Sequence, residues 1–335
     1  MSFRILVTAR SFRKVPGEHH RLLQEAGCEV VESPQDRPLR EAEMVDLIAD
    51  VDGAILGLDE VTARVIAAGK RLKVISRYGV GVDNVDLKAA TEAGVVVTNT
   101  PGTNHISVAE LTMGLIISLA RHIPQYNSST KAGSWGRVTG LELAGKTLGL
   151  IGLGQVSREV IKRAAVFAMR ILVHTRYPDA ELTEAYGVEY VSLRRLLRET
   201  DFVSLHCNLT TERIGLIGED ELRSMKPTAY LINTARGELV DEAALYRALQ
   251  KGWIAGAASD VFVEEPPTGS PLLQLENFIA TPHVAANTYE SIQRMGVMAA
   301  KNVLAVLNGE RPPHVVNPEV YETKTLSEKW RKEVK

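Results

Sequence analysis

The chain has 335 residues, more than one ordinary domain, and its 45% hydrophobic and 24% charged residues are typical of globular proteins. Because 39 Lys and Arg residues are balanced by 41 Asp and Glu residues, no basic excess indicates a nucleic-acid partner. Cys28 and Cys207 lack metal-site spacing, and no segment has the pattern of a signal peptide or a membrane span, which predicts a cytoplasmic protein with neither metal nor membrane partner.

Short apolar runs alternate with amphipathic segments over roughly the first hundred residues. Predicted strands cover Phe3–Ala9, Cys28–Val31, Gly53–Leu56, Leu72–Ser76 and Val95–Thr98; predicted helices cover Glu18–Ala26, Arg40–Ile48, Val61–Ala68 and Leu87–Ala93. This alternation predicts a small parallel sheet with helices on both faces, in a flavodoxin-like domain. The short basic clusters Arg10–Lys14 and Lys329–Lys335 are interpreted as solvated.

A long apolar helix is predicted from Ser107 to Gln125. The segment that follows, Lys131–Leu143, is rich in glycine, contains Trp135 and is predicted to be irregular. We interpret the helix as a connector buried between two domains. We also expect the helix and the Trp135 segment to form the surface of a homodimer.

The segment Gly145–Arg176 has the pattern of a strand, a glycine turn, a helix and a second strand. Thr147–Ile151 is a short apolar run, Gly152-Leu-Gly154 permits a tight turn, and Val156–Ala168 has helical periodicity. The apolar run Ile171–Val173 supplies the second strand. A glycine turn alone could be an ordinary strand–helix connection, but this setting favours a dinucleotide fingerprint, in which the pyrophosphate lies at the helix N-terminus.

The third fingerprint position is Ser157 instead of glycine. We expect the serine to loosen the contact between the helix and the strand slightly, which concerns packing and not function.

The second half of the chain continues the alternation of strands and helices. Predicted strands are Glu189–Val191, Phe202–Leu205, Ala229–Asn233, Ala255–Asp260 and Phe278–Ala280, and predicted helices are Leu193–Arg198, Glu242–Gln250 and Tyr289–Leu307. We expect an α/β protein with two doubly wound parallel-sheet domains. A Rossmann NAD(P)-binding domain at 101–287 is inserted into a substrate domain at 1–100 plus 288–320, with a tail at 321–335. A cleft between such domains is the expected place for a small-molecule site.

Polar residues follow the predicted strands of the second domain. Arg236 follows the strand ending at Asn233, Asp260 ends the next, Glu265 comes shortly after, and His283 follows the last strand. Because the carboxyl ends of parallel strands meet at one edge, these residues form a candidate site. A histidine suits proton transfer near neutral pH, and an arginine suits a carboxylate.

Several motifs together resemble the D-2-hydroxyacid dehydrogenase family, in the expected order from Ile5 to Pro318. They are Arg77-Tyr-Gly-Val-Gly81-Val-Asp-Asn84, Gly152-Leu-Gly154, Asn233-Thr-Ala-Arg236-Gly237, Ser259-Asp260-Val-Phe262, Glu265-Pro266-Pro267 and Thr281-Pro-His283. The chain looks most similar to the phosphoglycerate dehydrogenase branch, without that branch's C-terminal regulatory extensions.

The resemblance implies roles for individual residues. His283 is the expected acid/base, Glu265 is expected to orient its imidazole, and Arg236 is expected to bind the substrate carboxylate. Tyr78, Gly79, Val80 and Gly81 are implied to bind substrate; Gly152, Gly154, Gln155 and Val156 to meet the pyrophosphate; Thr175 and Arg176 to lie at the ribose; and Cys207, Thr234, Ala235 and Asp260 to line the nicotinamide side.

The position after the second fingerprint strand departs from the family pattern. The family commonly has an acidic residue there that accepts hydrogen bonds from the adenosine ribose, whereas this chain has Thr175 followed by Arg176. Loss of the carboxylate removes repulsion against a 2′-phosphate, and an arginine could pair with it. The cofactor is therefore NAD or NADP, with NADP favoured; the alternative is that Arg176 is solvated and NAD binds.

The expected activity is hydride transfer between NAD(P) and C2 of a small 2-hydroxy or 2-oxo acid. D-3-phosphoglycerate is one candidate substrate, and glyoxylate or hydroxypyruvate is the other. Arg77 is the nearest cation for a phosphate, although its side chain could equally point to solvent. The alternative function is that of a nucleotide-sensing, corepressor-like binding protein of the same fold, because such proteins retain Arg236, Glu265 and His283.

Overall fold

The computed structural model describes residues 2–326 of the chain. Contacts divide the chain into two compact units: the first comprises residues up to Asn104 and from Asn287 onward, and the second comprises His105–Ala286. At the start of the predicted tail, Pro318–Glu322 forms a short 3₁₀ turn, and Leu326 is buried. Residues 327–335, with the basic cluster predicted there, lie outside the described residues.

The described part of the chain has twelve strands and thirteen α-helices. The strands are β1 Arg4–Val7, β2 Glu29–Glu32, β3 Gly53–Leu56, β4 Val74–Arg77, β5 Val96–Thr98, β6 Thr147–Ile151, β7 Arg170–His174, β8 Glu189–Tyr190, β9 Phe202–Leu205, β10 Tyr230–Asn233, β11 Gly256–Ser259 and β12 Phe278–Ala280. The helices are α1 Arg10–Lys14, α2 Glu18–Glu25, α3 Glu41–Ile48, α4 Ala63–Ala68, α5 Leu87–Glu92, α6 His105–Arg121, α7 Ile123–Lys131, α8 Gln155–Val166, α9 Ala180–Tyr186, α10 Leu193–Glu199, α11 Glu219–Ser224, α12 Glu242–Gln250 and α13 Tyr289–Leu307.

The first unit is built on a five-stranded parallel sheet with the strand order β2-β1-β3-β4-β5. This order is that of a flavodoxin-like fold. Helices α3 and α4 pack together over a core that includes Leu6, Met44 and Ile75, and α13 packs against α2, β3 and β4. The predicted flavodoxin-like fold is confirmed.

The second unit has a seven-stranded parallel sheet with the order β12-β11-β10-β9-β6-β7-β8. Its strand order reverses between β6 and β9, as in doubly wound dinucleotide-binding sheets. Ligands of such sheets bind outside the carboxyl ends of the strands at this point. The predicted Rossmann fold is confirmed, and its sequence is inserted between two parts of the first unit.

The long helix predicted at Ser107–Gln125 is confirmed as far as Arg121 and is wrong over its last four residues, because the helix ends before His122. His122 has a left-handed φ of 53°, and α7 begins beyond it, with Pro124 in its first turn. A proline has no N–H to continue the helical ladder, so the carbonyl of Ala120 instead accepts a hydrogen bond from Leu141 N at 2.8 Å. Within residues 2–326 no single helix could cross a membrane; α6 and α7 reach that length only together and are bent by 61°.

The short helices α1, α9 and α11 were not predicted. The cluster at α1 is not fully solvated, which corrects the interpretation from sequence: the Arg13 side chain is 9% exposed and donates to the carbonyls of Ser33 and Gln35. A signal for α9 is present in the sequence. Asp179 caps its N-terminus and Gly187 ends it in the left-handed conformation.

Candidate active site

The carboxyl ends of the parallel strands in the second unit place the predicted residues along one edge of the sheet. Gly152 follows β6, His206 follows β9, Arg236 lies beyond β10, Asp260 follows β11 and His283 lies beyond β12. All these strands pair in parallel, so their ends share one edge. This is the edge where such sheets bind ligands.

The turn after β6 fits a dinucleotide pyrophosphate. Gly152 has a φ of 99°, and a Cβ at this position would lie 2.8 Å from the backbone of His206 and Cys207, so only glycine is accommodated. Helix α8 begins at Gln155, and no side chain caps its N-terminus at Gly154. The first N–H groups of this helix and its dipole are thus suited to an anion.

Ser157 does not loosen this turn, which corrects the expectation from sequence. Its side chain is fully buried, and its Oγ donates a hydrogen bond to the carbonyl of Gly152 at 2.8 Å. The hydroxyl therefore ties the first turn of α8 to the glycine turn. The sequence pattern showed the serine but not this acceptor.

His283 and Glu265 form a hydrogen-bonded pair. His283 Nδ1 lies 2.8 Å from Glu265 Oε2, and the other carboxylate oxygen accepts from Phe262 N at 3.1 Å. The backbone of His283 has a φ of 51°, in the left-handed region that costs a non-glycine residue about 1–2 kcal/mol. The surrounding structure must therefore hold this residue in place.

Asp260 holds the segment that carries His283. Its fully buried carboxylate accepts hydrogen bonds from Thr281 Oγ1 at 2.5 Å, Val284 N at 2.9 Å and Ala285 N at 2.8 Å, and its carbonyl accepts from His283 N at 2.8 Å. Burial raises the pKa of Asp260, while the donated hydrogen bonds act in the opposite direction. Asp260 therefore contacts the segment of His283 through both its carboxylate and its backbone carbonyl.

Arg236 lies on a turn that packs closely against the segment leading to Glu265. Asn233 shapes the turn: its Nδ2 donates to the Arg236 carbonyl at 2.8 Å, and its Oδ1 accepts from Ala235 N at 3.0 Å. A Cβ at Gly237 would lie 2.1 Å from the carbonyl carbon of Phe262, so this close approach requires glycine. Arg236 itself is half-buried, and its Nη1 donates to the Ala235 carbonyl at 2.7 Å.

Two further residues predicted on the nicotinamide side are buried to different extents. Thr234 is buried, and its hydroxyl lies 3.0 Å from the hydroxyl of Thr112 on α6. Cys207 is half-buried, and burial raises the pKa of its thiol, which agrees with an inert side chain.

The end of β7 carries the residues predicted to read the ribose. Thr175 Oγ1 accepts from Tyr177 N at 3.2 Å, and Arg176 is exposed. The next carboxylate along the chain, Asp179, is paired with Arg158 of α8 at 2.5 Å.

His206 directly follows β9, and its environment is unusual. Its Nε2 lies 2.9 Å from Ser204 Oγ, and burial lowers the pKa of His206 to about 3. The imidazole is therefore neutral near pH 7. Its position at a strand end is the signal that the sequence offered.

The predicted substrate loop lies in the first unit and follows β4. Tyr78 is buried, and burial raises its pKa to about 12. Gly79 donates its N–H to Thr100 Oγ1 at 3.0 Å, whereas Val80 is 44% exposed. Arg77 does not point to solvent, which settles the alternative that the sequence left open: it is buried and donates to the carbonyls of Leu56 and Tyr78.

The chain is similar to known proteins over most of its length. Residues 113–285 match the family model of the D-isomer specific 2-hydroxyacid dehydrogenase, NAD binding domain. The chain is 46% identical over 283 residues to the D-3-phosphoglycerate dehydrogenase of Methanocaldococcus jannaschii, which covers 83% of this chain and 54% of that protein. It is 43% identical over 324 residues to the glyoxylate reductase of Thermofilum pendens, covering 94% of this chain and 95% of that protein.

A solved structure shows the same likeness. The D-lactate dehydrogenase from Aquifex aeolicus, complexed with NAD and lactic acid, has a TM-score of 0.81 and 29% identity, covering 93% of this chain and 99% of that chain. The present chain spans about half the length of the phosphoglycerate dehydrogenase relative and nearly all of the glyoxylate reductase. The chain therefore belongs to the D-isomer specific 2-hydroxyacid dehydrogenases, and it is an oxidoreductase that uses a nicotinamide dinucleotide.

Proposed function

We propose that the protein moves a hydride between NAD(P) and C2 of a small D-2-hydroxy acid or the corresponding 2-oxo acid. The observation that carries this proposal is the 2.8 Å contact between His283 Nδ1 and Glu265 Oε2 beyond β12. When bound, the nicotinamide supplies or accepts the hydride. The residues of the chain must therefore bind the acid and move one proton.

The pair supports a separate role for each nitrogen of His283. With Nδ1–H donating to Glu265, Nε2 is the nitrogen left to exchange a proton with the substrate. During reduction, Nε2–H donates its proton to the carbonyl oxygen as the hydride reaches C2; during oxidation, Nε2 accepts the hydroxyl proton. Glu265 keeps the imidazole oriented, as carboxylates do for other catalytic histidines.

From the family resemblance, we propose Arg236 and, in the first unit, the backbone N–H groups of Val80 and Gly81 as groups that bind the substrate carboxylate. The guanidinium matches a carboxylate through two parallel hydrogen bonds, and it polarises the neighbouring carbonyl. Tyr78 and Gly79 belong to the same loop and directly precede Val80.

We propose an unphosphorylated substrate, glyoxylate or hydroxypyruvate, in preference to a phosphorylated acid. Arg77, the candidate cation for a phosphate, is buried against the carbonyls of Leu56 and Tyr78. A relative that this chain matches over nearly its full length is a glyoxylate reductase. D-3-phosphoglycerate is the second candidate, supported by the D-3-phosphoglycerate dehydrogenase relative.

The cofactor is proposed to be NADP in preference to NAD. The support is Thr175 in place of an acid, the exposed Arg176 beside it, and the pairing of Asp179 with Arg158. Substituting R176A is expected to lower kcat/KM with NADPH about tenfold, or about 1.4 kcal/mol, and to change kcat/KM with NADH little. K162A, at an exposed position of α8, is the control. A wild-type kcat/KM much higher with NADH contradicts this preference.

The function is tested by a panel of 2-oxo acids with NADH and NADPH, following cofactor oxidation. We expect turnover of glyoxylate and hydroxypyruvate, and a lower kcat/KM for 3-phosphohydroxypyruvate. Tight cofactor binding without turnover of any acid would support the corepressor-like alternative.

We further propose that the protein is a homodimer that works in the cytoplasm. Apolar side chains are exposed near α7, with Trp135 at 77%, Val138 at 63% and Ile123 at 48% exposure. Cys28 and Cys207 are free thiols, as expected in a reducing compartment. Light scattering that gives the mass of one chain would contradict the dimer.

A further inference from the structure

The substrate loop of the first unit, Tyr78–Asn84, is anchored at its beginning by residues that follow β5. Gly79 N donates to Thr100 Oγ1 at 3.0 Å, and the Gly79 carbonyl accepts from Thr100 N at 2.9 Å. Asn99 Nδ2 donates to the Val80 carbonyl at 2.8 Å. The first two residues after Tyr78 are thus fixed through their backbone.

The end of the loop is anchored by Asn84. Its Nδ2 donates to the carbonyl of Asp59 at 2.6 Å and lies 3.4 Å from the carbonyl of Gly57. Its own carbonyl accepts from Val61 N at 2.9 Å. One side chain therefore joins the substrate loop to the segment that follows β3.

The segment to which Asn84 donates, Gly57 to Asp59, is itself held by the buried carboxylate of Asp59. This carboxylate accepts from Gly57 N at 3.0 Å, from Leu39 N at 2.9 Å and from the hydroxyl of Thr8. Buried carboxylates with several donors make rigid supports, because breaking one hydrogen bond leaves a charge unsatisfied. Asn84 is therefore hydrogen-bonded to a segment that the Asp59 carboxylate holds in place.

The anchoring leaves successive backbone N–H groups, among them those of Val80 and Gly81, between the fixed ends. Within residues 2–326, neither Val80 N nor Gly81 N donates a hydrogen bond to another protein group. Val80 is also exposed. Successive backbone N–H groups of this kind suit a carboxylate.

We propose that Asn84 is a positioning residue for substrate binding: by holding the loop against Gly57 and Asp59, it aims the N–H groups of Val80 and Gly81 at the substrate carboxylate. This inference rests on the proposed function, which places the carboxylate at those groups. Asn84 touches neither substrate nor cofactor in this account. Its effect is therefore confined to the affinity for the acid.

The test compares N84A with N317A in the full-length protein. Asn317 is a matched control in the same unit: it is buried and donates to Thr91 Oγ1 and the Val95 carbonyl at 3.0 Å each, and it accepts from Val97 N at 2.8 Å. We expect N84A to raise KM for glyoxylate about tenfold, with kcat and the Kd for the reduced cofactor within about twofold. We expect N317A to lower Tm and leave KM unchanged.

Two further measurements keep the inference testable if N84A folds poorly. N84D preserves the size of the side chain but replaces its donors with acceptors that face two carbonyls, so it is expected to raise KM at least as much. Oxamate is a substrate-like inhibitor that does not react. Its inhibition constant should rise in the Asn84 variants by the same factor as KM for glyoxylate.

The outcomes separate this inference from the proposed function. A wild-type enzyme that reduces glyoxylate, together with N84A and N84D variants of unchanged KM, overturns the role of Asn84 alone. An equal rise of KM in N317A also overturns it, because the effect would then be general loosening of the unit. A wild-type protein that reduces no 2-oxo acid refutes the proposed function itself.

Discussion

Replacing Asp260 with asparagine removes the charge that holds the His283 segment. The carboxylate accepts three hydrogen bonds, from Thr281, Val284 and Ala285. An asparagine has one acceptor oxygen, and its amide hydrogens would face an N–H donor. Losing one hydrogen bond to a charged group costs about 1.5–3 kcal/mol. The left-handed φ of 51° at His283 then loses part of its support.

We expect D260N to lower kcat about 10- to 100-fold, since each 1.4 kcal/mol corresponds to a factor of about ten. The Kd for the reduced cofactor, measured by fluorescence titration, should change less than about threefold. The control is D201N: Asp201 accepts from Thr147 N at 2.8 Å and from Lys226 at 2.9 Å before β9, away from the strand ends that carry the site. D201N should lose stability and keep kcat.

The reasoning is refuted if D260N keeps kcat within twofold of wild type. If, in addition, the Kd for the cofactor rises tenfold, Asp260 acts on the cofactor, as the family resemblance implies.

Three other substitutions test single contacts. Burial lowers the pKa of His206 from 6.5 to about 3, so the unfolded chain binds a proton that the folded chain does not, and stability is lost as the pH falls below about 6.5. H206Q should therefore show a smaller fall in Tm between pH 7 and pH 5 than wild type. A fall equal to that of wild type would contradict the lowered pKa. S157A removes the hydrogen bond to the Gly152 carbonyl and should cost about 1 kcal/mol, or about 2–4 °C in Tm of its unit by calorimetry; an unchanged Tm would show that this bond contributes nothing. G237A places a Cβ 2.1 Å from Phe262 C, so Tm should fall by more than in S157A, and a wild-type Tm would contradict the close packing.

The fold could be predicted from the sequence because its signals are local. Gly53–Leu56, Phe202–Leu205, Glu242–Gln250, Phe278–Ala280 and Tyr289–Leu307 have the predicted bounds, since apolar runs and caps mark their ends. The break at His122 was missed because its cause is distant: the Ala120 carbonyl pairs with Leu141, which the local pattern does not show.

For the candidate site, the sequence could indicate positions in the fold but not contacts. Arg236, Asp260 and His283 could be found because each follows a strand of a parallel sheet. The contacts of Asp260, the acceptor of Ser157 and the anchor at Asn84 could not, because each joins segments that are separate in sequence or uses a backbone atom. The assigned roles in catalysis stay predictions until they are measured.

The most direct measurement is the rate of NAD(P)H oxidation with glyoxylate by wild type and by H283A. The account predicts turnover by wild type, and a kcat about 10²- to 10⁴-fold lower in H283A, because a positioned acid/base contributes about that much. The Kd for the cofactor should remain within about twofold, since His283 pairs with Glu265 and not with the glycine turn. A near wild-type kcat in H283A would contradict the central claim.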